Sequence, residues 1–130
     1  MFLQALKVIL LCVALLTQDV FAKPVDRCGH QLQELIVPSL RHAVFERQKI
    51  MTALDDLDGS FYNVRLYVAS NNPDNLDGEV TIGWVKIDIR SFLVFDVTRD
   101  PDHPERLKTS RSAVSRYVAR CIDAPAHNTK

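Results

Sequence analysis

The chain has 130 residues, of which 16 are Lys or Arg and 16 are Asp or Glu, so its formal net charge at pH 7 is zero. This charge balance argues against a dedicated nucleic-acid binder, whose affinity comes largely from clustered positive charge. The length predicts one domain with a core of its own. No catalytic, metal or nucleotide-binding motif stands out, so the sequence predicts no cofactor and no metal site.

Residues 1–22 have the pattern of a cleavable export signal. The basic residue Lys7 precedes an apolar run over residues 8–16, and Val20-Phe21-Ala22 is a cleavage site of the small-x-small type. This run has about half the roughly 20 residues that a membrane-spanning helix needs, which favours a signal over an anchor. We therefore expect residues 23–130 to form a domain in a periplasm or outside the cell, with no membrane span.

Two cysteines remain in the predicted mature chain, Cys28 and Cys121. An even number of cysteines in an oxidising compartment predicts one disulfide. The alternative is a thiol nucleophile at Cys28, with His30 beside it. We favour the disulfide, because an exported thiol with an available partner normally oxidises.

A stripe of apolar residues with spacings of three and four predicts a helix that begins near Leu32. Pro38 lacks a backbone donor and crowds the preceding turn, so this helix is expected to kink or to split into two helices there. Gly59 is expected to end it. The stripe consists of Leu32, Leu35, Ile36, Leu40, Ala43, Val44, Met51 and Leu54.

The hydrophobic period changes to two after Gly59, which predicts strands. Residues 71–78 are dense in Asn, Asp, Pro and Gly and predict a turn. Around Trp84 both alternating sets of residues are apolar, which predicts either burial on both faces or a bulge near Gly83. Residues 61–98 are therefore predicted to form a three-stranded antiparallel meander.

Residues 99–105 include two prolines and several charged side chains, and they predict a solvated loop. Ser110 or Ser112 is expected to cap a last helix, with Cys121 on its apolar stripe. The tail after residue 123 is expected to fray. The order helix, three strands, helix predicts an α+β domain with helices on one face of an antiparallel sheet.

The loop before the last helix gathers potential metal ligands and acid–base groups. Its carboxylates and imidazole belong to Asp100, Asp102, His103 and Glu105. Solvated turns commonly have this composition, and metal sites usually draw on rigid elements, so the loop leaves metal binding open without predicting it. Asp102 and His103 are the candidate residues of an enzymatic alternative.

Basic residues concentrate on the last helix, whereas acidic residues cluster in the turns. Separated basic and acidic faces steer association with a charged partner, although an ordinary solvated helix face has the same composition. On the first predicted strand, Tyr67 lies on the face opposite the apolar residues Val64, Leu66 and Val68. We therefore expect Tyr67 to be the most exposed of the aromatic residues in the predicted meander. The predicted partner-binding residues are Arg111, Arg116, Arg120 and Tyr67.

Small size, a disulfide and segregated charge favour a non-enzymatic exported protein that binds another protein. Periplasmic enzyme inhibitors and immunity proteins act in this manner. One alternative is a small exported hydrolase or ligand-binding enzyme that uses the loop around Asp102 and His103. The other is a structural envelope component without a discrete active site.

Overall fold

The computed structural model describes residues 25, 26, 28 and 30–123. The predicted export signal over residues 1–22 and the predicted tail after residue 123 lie outside the described residues. In chain order, the elements are β1 (Val25–Asp26), α1 (Gln31–Ile36), β2 (Met51–Asp58), β3 (Phe61–Ala69), β4 (Glu79–Asp88), β5 (Val94–Asp96), β6 (Glu105–Arg106), α2 (Arg111–Cys121) and β7 (Ile122–Asp123).

Strands β2 to β6 form one antiparallel sheet, and each strand pairs with the next along the chain. The predicted α+β class is thereby confirmed. The prediction of three strands is wrong, because β2 and β6 extend the meander on both sides to five strands. A separate antiparallel pair of β1 and β7 joins the two ends of the described chain.

The first helix is much shorter than the apolar stripe predicted. α1 ends at Ile36, and a single 3-10 turn, Val37–Ser39, follows it with Pro38 near its start. Because proline cannot donate the hydrogen bond that would continue the helix, the chain becomes extended at Leu40. The segment from residue 40 to 46 is irregular, and a second 3-10 turn, Arg47–Lys49, precedes β2.

Gly59 lies in a hairpin turn and does not cap a helix. Asp58 pairs with Phe61, so that Gly59 and Ser60 form a two-residue connection between β2 and β3. Gly59 has a φ of 60°, which a glycine adopts without the steric cost that a Cβ imposes. The residues before it, Met51–Asp58, are a strand and not the end of the predicted helix.

The core lies between the two helices and one face of the sheet. Along β3, Tyr62, Val64 and Leu66 are buried while their neighbours are only half-buried, which is the alternation expected of a sheet with one covered face. Burial of each large apolar side chain contributes roughly 1.5–3 kcal/mol. The buried cluster consists of Leu32, Ile36, Val37, Leu40, Ile50, Tyr62, Val64, Leu66, Val85, Ile87, Val94, Leu107, Val114, Tyr117 and Cys121.

A bulge interrupts the pairing of β3 and β4 next to Gly83, which is one of the two alternatives that the sequence left open. Leu66 pairs with Gly83 and the next residue, Tyr67, pairs with Thr81. Ile82 is therefore an extra residue on β4, and its side chain packs against the core cluster.

The C-terminal helix and the disulfide match their predictions. The backbone N–H of Ala113 donates to Ser110 Oγ at 3.3 Å, so Ser110 is the N-cap residue of α2. Cys28 and Cys121 form a disulfide whose Cα atoms are 5.1 Å apart. This bond fastens the end of α2 to the chain just before α1.

Residues 99–104 are exposed, as predicted for the loop, but Glu105 is not part of it. Glu105 pairs with Asp96 in the short strand β6, and the backbone N–H of Leu107 donates to the Val94 carbonyl at 2.9 Å. Leu107 is buried, which explains why the chain returns to the sheet here. Among the described residues, no helix is long and apolar enough to cross a membrane.

Candidate functional site

An apolar pocket of about 420 Å³ opens beneath the irregular segment 40–46. Apolar side chains make most of its wall, and a few polar groups stand at its edge, which is the usual composition of a binding site. Its lining residues are Leu40, His42, Ala43, Val44, Phe45, Ile50, Leu66, Ile82, Asp96, Thr98 and Arg99.

The segment over this pocket is anchored at both ends and exposed in the middle. Leu40 and Ile50 are buried in the core. Between them, 92% of Val44 and 43% of Phe45 are exposed. The guanidinium of Arg47 donates to the Leu40 carbonyl at 2.8 Å and closes the segment on itself. Val44 and Phe45 are thus two apolar side chains that lie at the mouth of an open pocket and are exposed to solvent.

The bulge in β4 shapes the floor of the pocket. Ile82 is the extra residue, and it lines the pocket together with Leu66 of β3. Gly83 lies on the core side of the sheet. In a regular strand, the side chain of the preceding residue, Ile82, would therefore lie on the opposite side. The bulge therefore adds an apolar side chain to the site that strict alternation would have lost.

Charged groups at the rim tie the segment to β6. His42 Nε2 lies 3.2 Å from one carboxylate oxygen of Glu105, and Arg41 Nη1 lies 3.4 Å from the other. On β5, Asp96 Oδ1 accepts the backbone N–H of Thr98 at 2.9 Å. The polar groups that line the pocket are thus the His42 imidazole, the Asp96 carboxylate, the Thr98 hydroxyl and the Arg99 guanidinium, and Glu105 lies next to the first of them.

The loop that the enzymatic alternative depends on is organised by Asp100. Its Oδ2 lies 2.7 Å from His103 Nδ1, and its Oδ1 accepts the backbone N–H of Asp102 at 3.0 Å. A cleft of about 310 Å³ is lined by Asp100 and His103 but not by Asp102. Within the described part of the chain, no three His, Cys, Asp or Glu side chains are grouped so that they could hold a metal ion.

The four predicted partner-binding residues lie in three different places. Arg116 and Arg120 line one groove of about 450 Å³ beside the disulfide, together with Glu34 of α1. Arg111 lies about 180° from Arg120 around the helix axis, because nine residues at 100° each make two and a half turns. Tyr67 lies on the face of the sheet opposite the core.

Tyr67 is half-buried, with the Arg65 guanidinium carbon 4.6 Å from its ring centroid. The same guanidinium donates to Glu79 Oε2 at 2.7 Å. The structure therefore brings together only Arg116 and Arg120 of the predicted set.

Sequence reasoning missed the apolar pocket altogether. Val44 belongs to the apolar stripe that predicts a long first helix, but α1 ends at Ile36 and Val44 lies in the irregular segment; Phe45 is not part of that stripe. The one signal that could have found them is the adjacent apolar pair Val44-Phe45 within a strongly polar stretch, between His42 and Glu46.

Comparison of the chain with models of protein families, with curated proteins and with solved structures finds no match.

Proposed function

We propose that this chain is an exported, non-enzymatic binding protein that acts on a protein partner, in the manner of a periplasmic inhibitor or immunity protein. The partner contacts the pocket beneath segment 40–46 and inserts an apolar side chain into it. The disulfide supports export, since such bonds persist in oxidising compartments.

The exposure of Val44 and Phe45 at the mouth of the pocket carries this proposal. Apolar side chains grouped at an open apolar pocket are a liability for a protein that functions alone and a contact surface for one that binds a partner. Interface hot spots are well-packed pockets from which a partner's anchor excludes water. The pocket volume of about 420 Å³ accommodates one such anchor.

The polar rim fits the same role. Protein interfaces have an apolar centre surrounded by polar and charged groups that remain accessible to water. Here the pocket lining itself includes the polar side chains of His42, Asp96 and Arg99, and Glu105 lies 3.2 Å from His42 Nε2 beside it.

Affinity capture with matched variants tests the proposal. The oxidised protein is used as bait against the envelope and secreted fractions of its native cell, at low and at high salt. Val44→Asp places a charge at the pocket mouth and is expected to abolish capture of a stoichiometric partner. Leu76→Asp is the control, because Leu76 is 97% exposed in the turn between β3 and β4 and is not among the residues that line the pocket.

Equal capture by wild type and by Val44→Asp, or equal loss in both variants, contradicts the assignment of this surface. An intact mass that shows the disulfide and an unchanged circular dichroism spectrum exclude misfolding of the variants as the cause.

The hydrolase is the second candidate, and the 2.7 Å contact between His103 and Asp100 favours it. A carboxylate that orients an imidazole is part of many general-base sites. Asp100→Asn and His103→Ala are both expected to remove any ester or peptide hydrolysis, whereas Asp102→Asn is expected to retain it. A structural envelope component, the third candidate, predicts neither a partner lost by Val44→Asp nor a hydrolytic activity.

A further inference from the structure

The outer face of the sheet, opposite the core, carries four aromatic side chains. Phe61 and Tyr67 of β3, Trp84 of β4 and Phe95 of β5 are half-buried, and each alternates with a buried neighbour. None of the four belongs to the core cluster or to the partly buried side chains packed against it. These rings therefore form a separate surface, which we call the aromatic face.

Three of the four rings of the aromatic face, those of Phe61, Tyr67 and Phe95, contact one another or a cation. Phe61 and Phe95 meet edge to face, with their centroids 6.5 Å apart. Lys86 Nζ lies 5.7 Å from the Phe61 centroid, and the Arg65 guanidinium lies over Tyr67. A ligand that stacks on these rings meets a surface that is already ordered.

Polar side chains with planar groups lie among the rings and are fixed by hydrogen bonds. Asn63 Nδ2 donates to Asp56 Oδ1 at 2.8 Å. Arg65 donates through Nη2 to Glu79 at 2.7 Å and through Nη1 to Thr81 Oγ1 at 3.2 Å. An amide, two carboxylates and a guanidinium thus present paired donors and acceptors beside the aromatic rings.

These two kinds of group meet in a groove of about 350 Å³. Trp84 and Val97 line it together with the polar side chains of Asp56, Asn63 and Lys86. The groove combines an aromatic ring with an acceptor, an amide and an ammonium group within one short span.

We propose that the aromatic face binds a neutral glycan, with one sugar ring stacked on Trp84. A pyranose ring has one face of C–H groups, which packs on an aromatic ring, and an edge of vicinal hydroxyls, each of which both donates and accepts hydrogen bonds. The paired acceptors and donors of Asp56 and Asn63 match such an edge. The antiparallel sheet presents this surface as a shallow, extended track, which suits a chain-like ligand.

The charges of the aromatic face select a neutral ligand over an anionic one. The outward side chains of β2 to β6 include four carboxylates, at Asp56, Asp58, Glu79 and Asp88, against three cations, at Arg65, Lys86 and Arg106, and a fifth carboxylate, that of Asp55, lines the groove. A polyanion such as a nucleic acid or an acidic polysaccharide is repelled by this excess. Hydroxyl groups carry no such penalty, and they hydrogen-bond to carboxylates and cations alike.

The single tryptophan of the chain makes the test direct. Because Trp84 is the only tryptophan, its fluorescence reports on the groove alone. The full, oxidised protein is titrated with cellohexaose, chitohexaose and maltohexaose as neutral probes and with a polygalacturonate oligomer as the anionic probe. The expected result is a saturable change in emission with at least one neutral oligomer and none with the anionic one.

Electrophoresis through a gel that contains the matching neutral polysaccharide tests the residues. Trp84→Ala is expected to weaken binding at least about tenfold, as the loss of one stacked ring does. Trp84→Phe retains a ring and is expected to lose less, and Asn63→Ala is expected to weaken binding with Trp84 still present as the reporter. Val44→Asp, at the pocket on the core side, is expected to bind glycan like the wild type.

Three results overturn the glycan proposal. The first is no change in Trp84 emission with any neutral oligomer. The second is binding of the anionic oligomer as tight as that of the neutral ones. The third is migration of Trp84→Ala through the polysaccharide gel that is retarded as strongly as that of the wild type. Loss of a protein partner by Trp84→Ala, without glycan binding by the wild type, assigns the aromatic face to a protein and also overturns it. Since Val44→Asp and Trp84→Ala change different surfaces, failure of the glycan proposal is distinguishable from failure of the proposal that the pocket binds a protein partner.

Discussion

The side chain of Thr98 occupies the space that a Cβ atom on Gly83 would need. Thr98 Oγ1 accepts the backbone N–H of Trp84 at 3.0 Å, and it lies 3.3 Å from the Trp84 carbonyl. Just after β5, the Thr98 side chain is thus hydrogen-bonded to the backbone of β4 beside Gly83, which has no side chain. This relationship explains why a glycine stands beside the bulge.

Gly83→Ala is expected to destabilise the protein by about 1–3 kcal/mol, because the added methyl group collides with Thr98 in a packed region. Urea unfolding measures the change. The double variant Gly83→Ala/Thr98→Ala removes the colliding atoms, so its cost should be smaller than the sum of the two single costs. Strictly additive costs contradict the proposed collision.

The disulfide spans 93 residues of sequence, so its loss should cost much of the stability. The chain-entropy model gives about 4–5 kcal/mol for so long a loop, and measured values are commonly about 2–4 kcal/mol. Urea unfolding of the wild type and of Cys28→Ala/Cys121→Ala measures the difference. Intact mass should rise by two hydrogen atoms when the bond is reduced. Free thiols at both positions in the native protein contradict the structure.

Asp88 is expected to make stability depend on pH. The backbone N–H of Arg90 donates to Asp88 Oδ1 at 2.9 Å and lowers the pKa of the Asp88 carboxyl below its ordinary value, and a hydrogen bond from the Ser91 hydroxyl lowers it further. Because the pKa is depressed in the folded state, this contribution to stability is fully present above about pH 4 and is lost as the pH falls through the folded pKa.

Asp88→Asn should therefore be less stable than the wild type at pH 7, by about 1 kcal/mol. The difference should shrink as the pH falls below about 4. Thermal unfolding from pH 3 to pH 7 checks both statements. Asp74→Asn, in the exposed turn, controls for the removal of one negative charge. A difference between Asp88→Asn and wild type that does not change with pH contradicts the role given to this carboxylate.

Arg116 and Arg120 remain predicted contributors to partner binding through charge. If an acidic partner approaches their groove, Arg116→Glu/Arg120→Glu should slow association by about tenfold at low salt and by much less at high salt, because exposed charges act mainly on the association rate. Arg111→Glu is the matched control on the opposite side of the same helix. Equal effects of the two variants would show that net charge, and not this groove, controls association.

The sequence predicted β3, β4, β5 and α2 because, in each of these elements, the hydrophobic pattern of the sequence agrees with which side chains the fold buries. Val64 and Leu66 alternate with polar residues on β3, and Ser110 precedes an apolar stripe that α2 buries. The disulfide followed from the number of cysteines and the predicted compartment. Local pattern and tertiary environment agree in these elements.

The strand β2 was missed because its sequence contradicts its environment. Met51, Ala53 and Leu54 have higher helix than strand propensity, and the acidic residues that follow are depleted in strands. Pairing with β3 overrides these preferences, and a change of register between Leu54 and Leu57 hides the alternation that would have marked a strand. The Gly59-Ser60 pair forms the hairpin loop and is itself a hairpin signal, but Gly59 was interpreted as a helix end.

The apolar pocket could not be assembled from the sequence, because its residues come from separate parts of the chain. Its wall combines Leu40 and Phe45 from an irregular segment with Ile82 from a bulge and Asp96 from β5. No short stretch of sequence contains that set. Only the five-stranded arrangement, with β2 in place of the end of a helix, brings these residues together.

Photocrosslinking tests the central claim most directly. Phe45 is replaced by p-benzoylphenylalanine, and the oxidised protein is irradiated together with the envelope and secreted fractions. We predict a single crosslinked partner from position 45, none from the same replacement at Leu76, and loss of the product when Val44→Asp is added. A partner that crosslinks from Leu76 or from Arg116 but not from position 45 would contradict the assignment of the pocket beneath segment 40–46 as the binding surface.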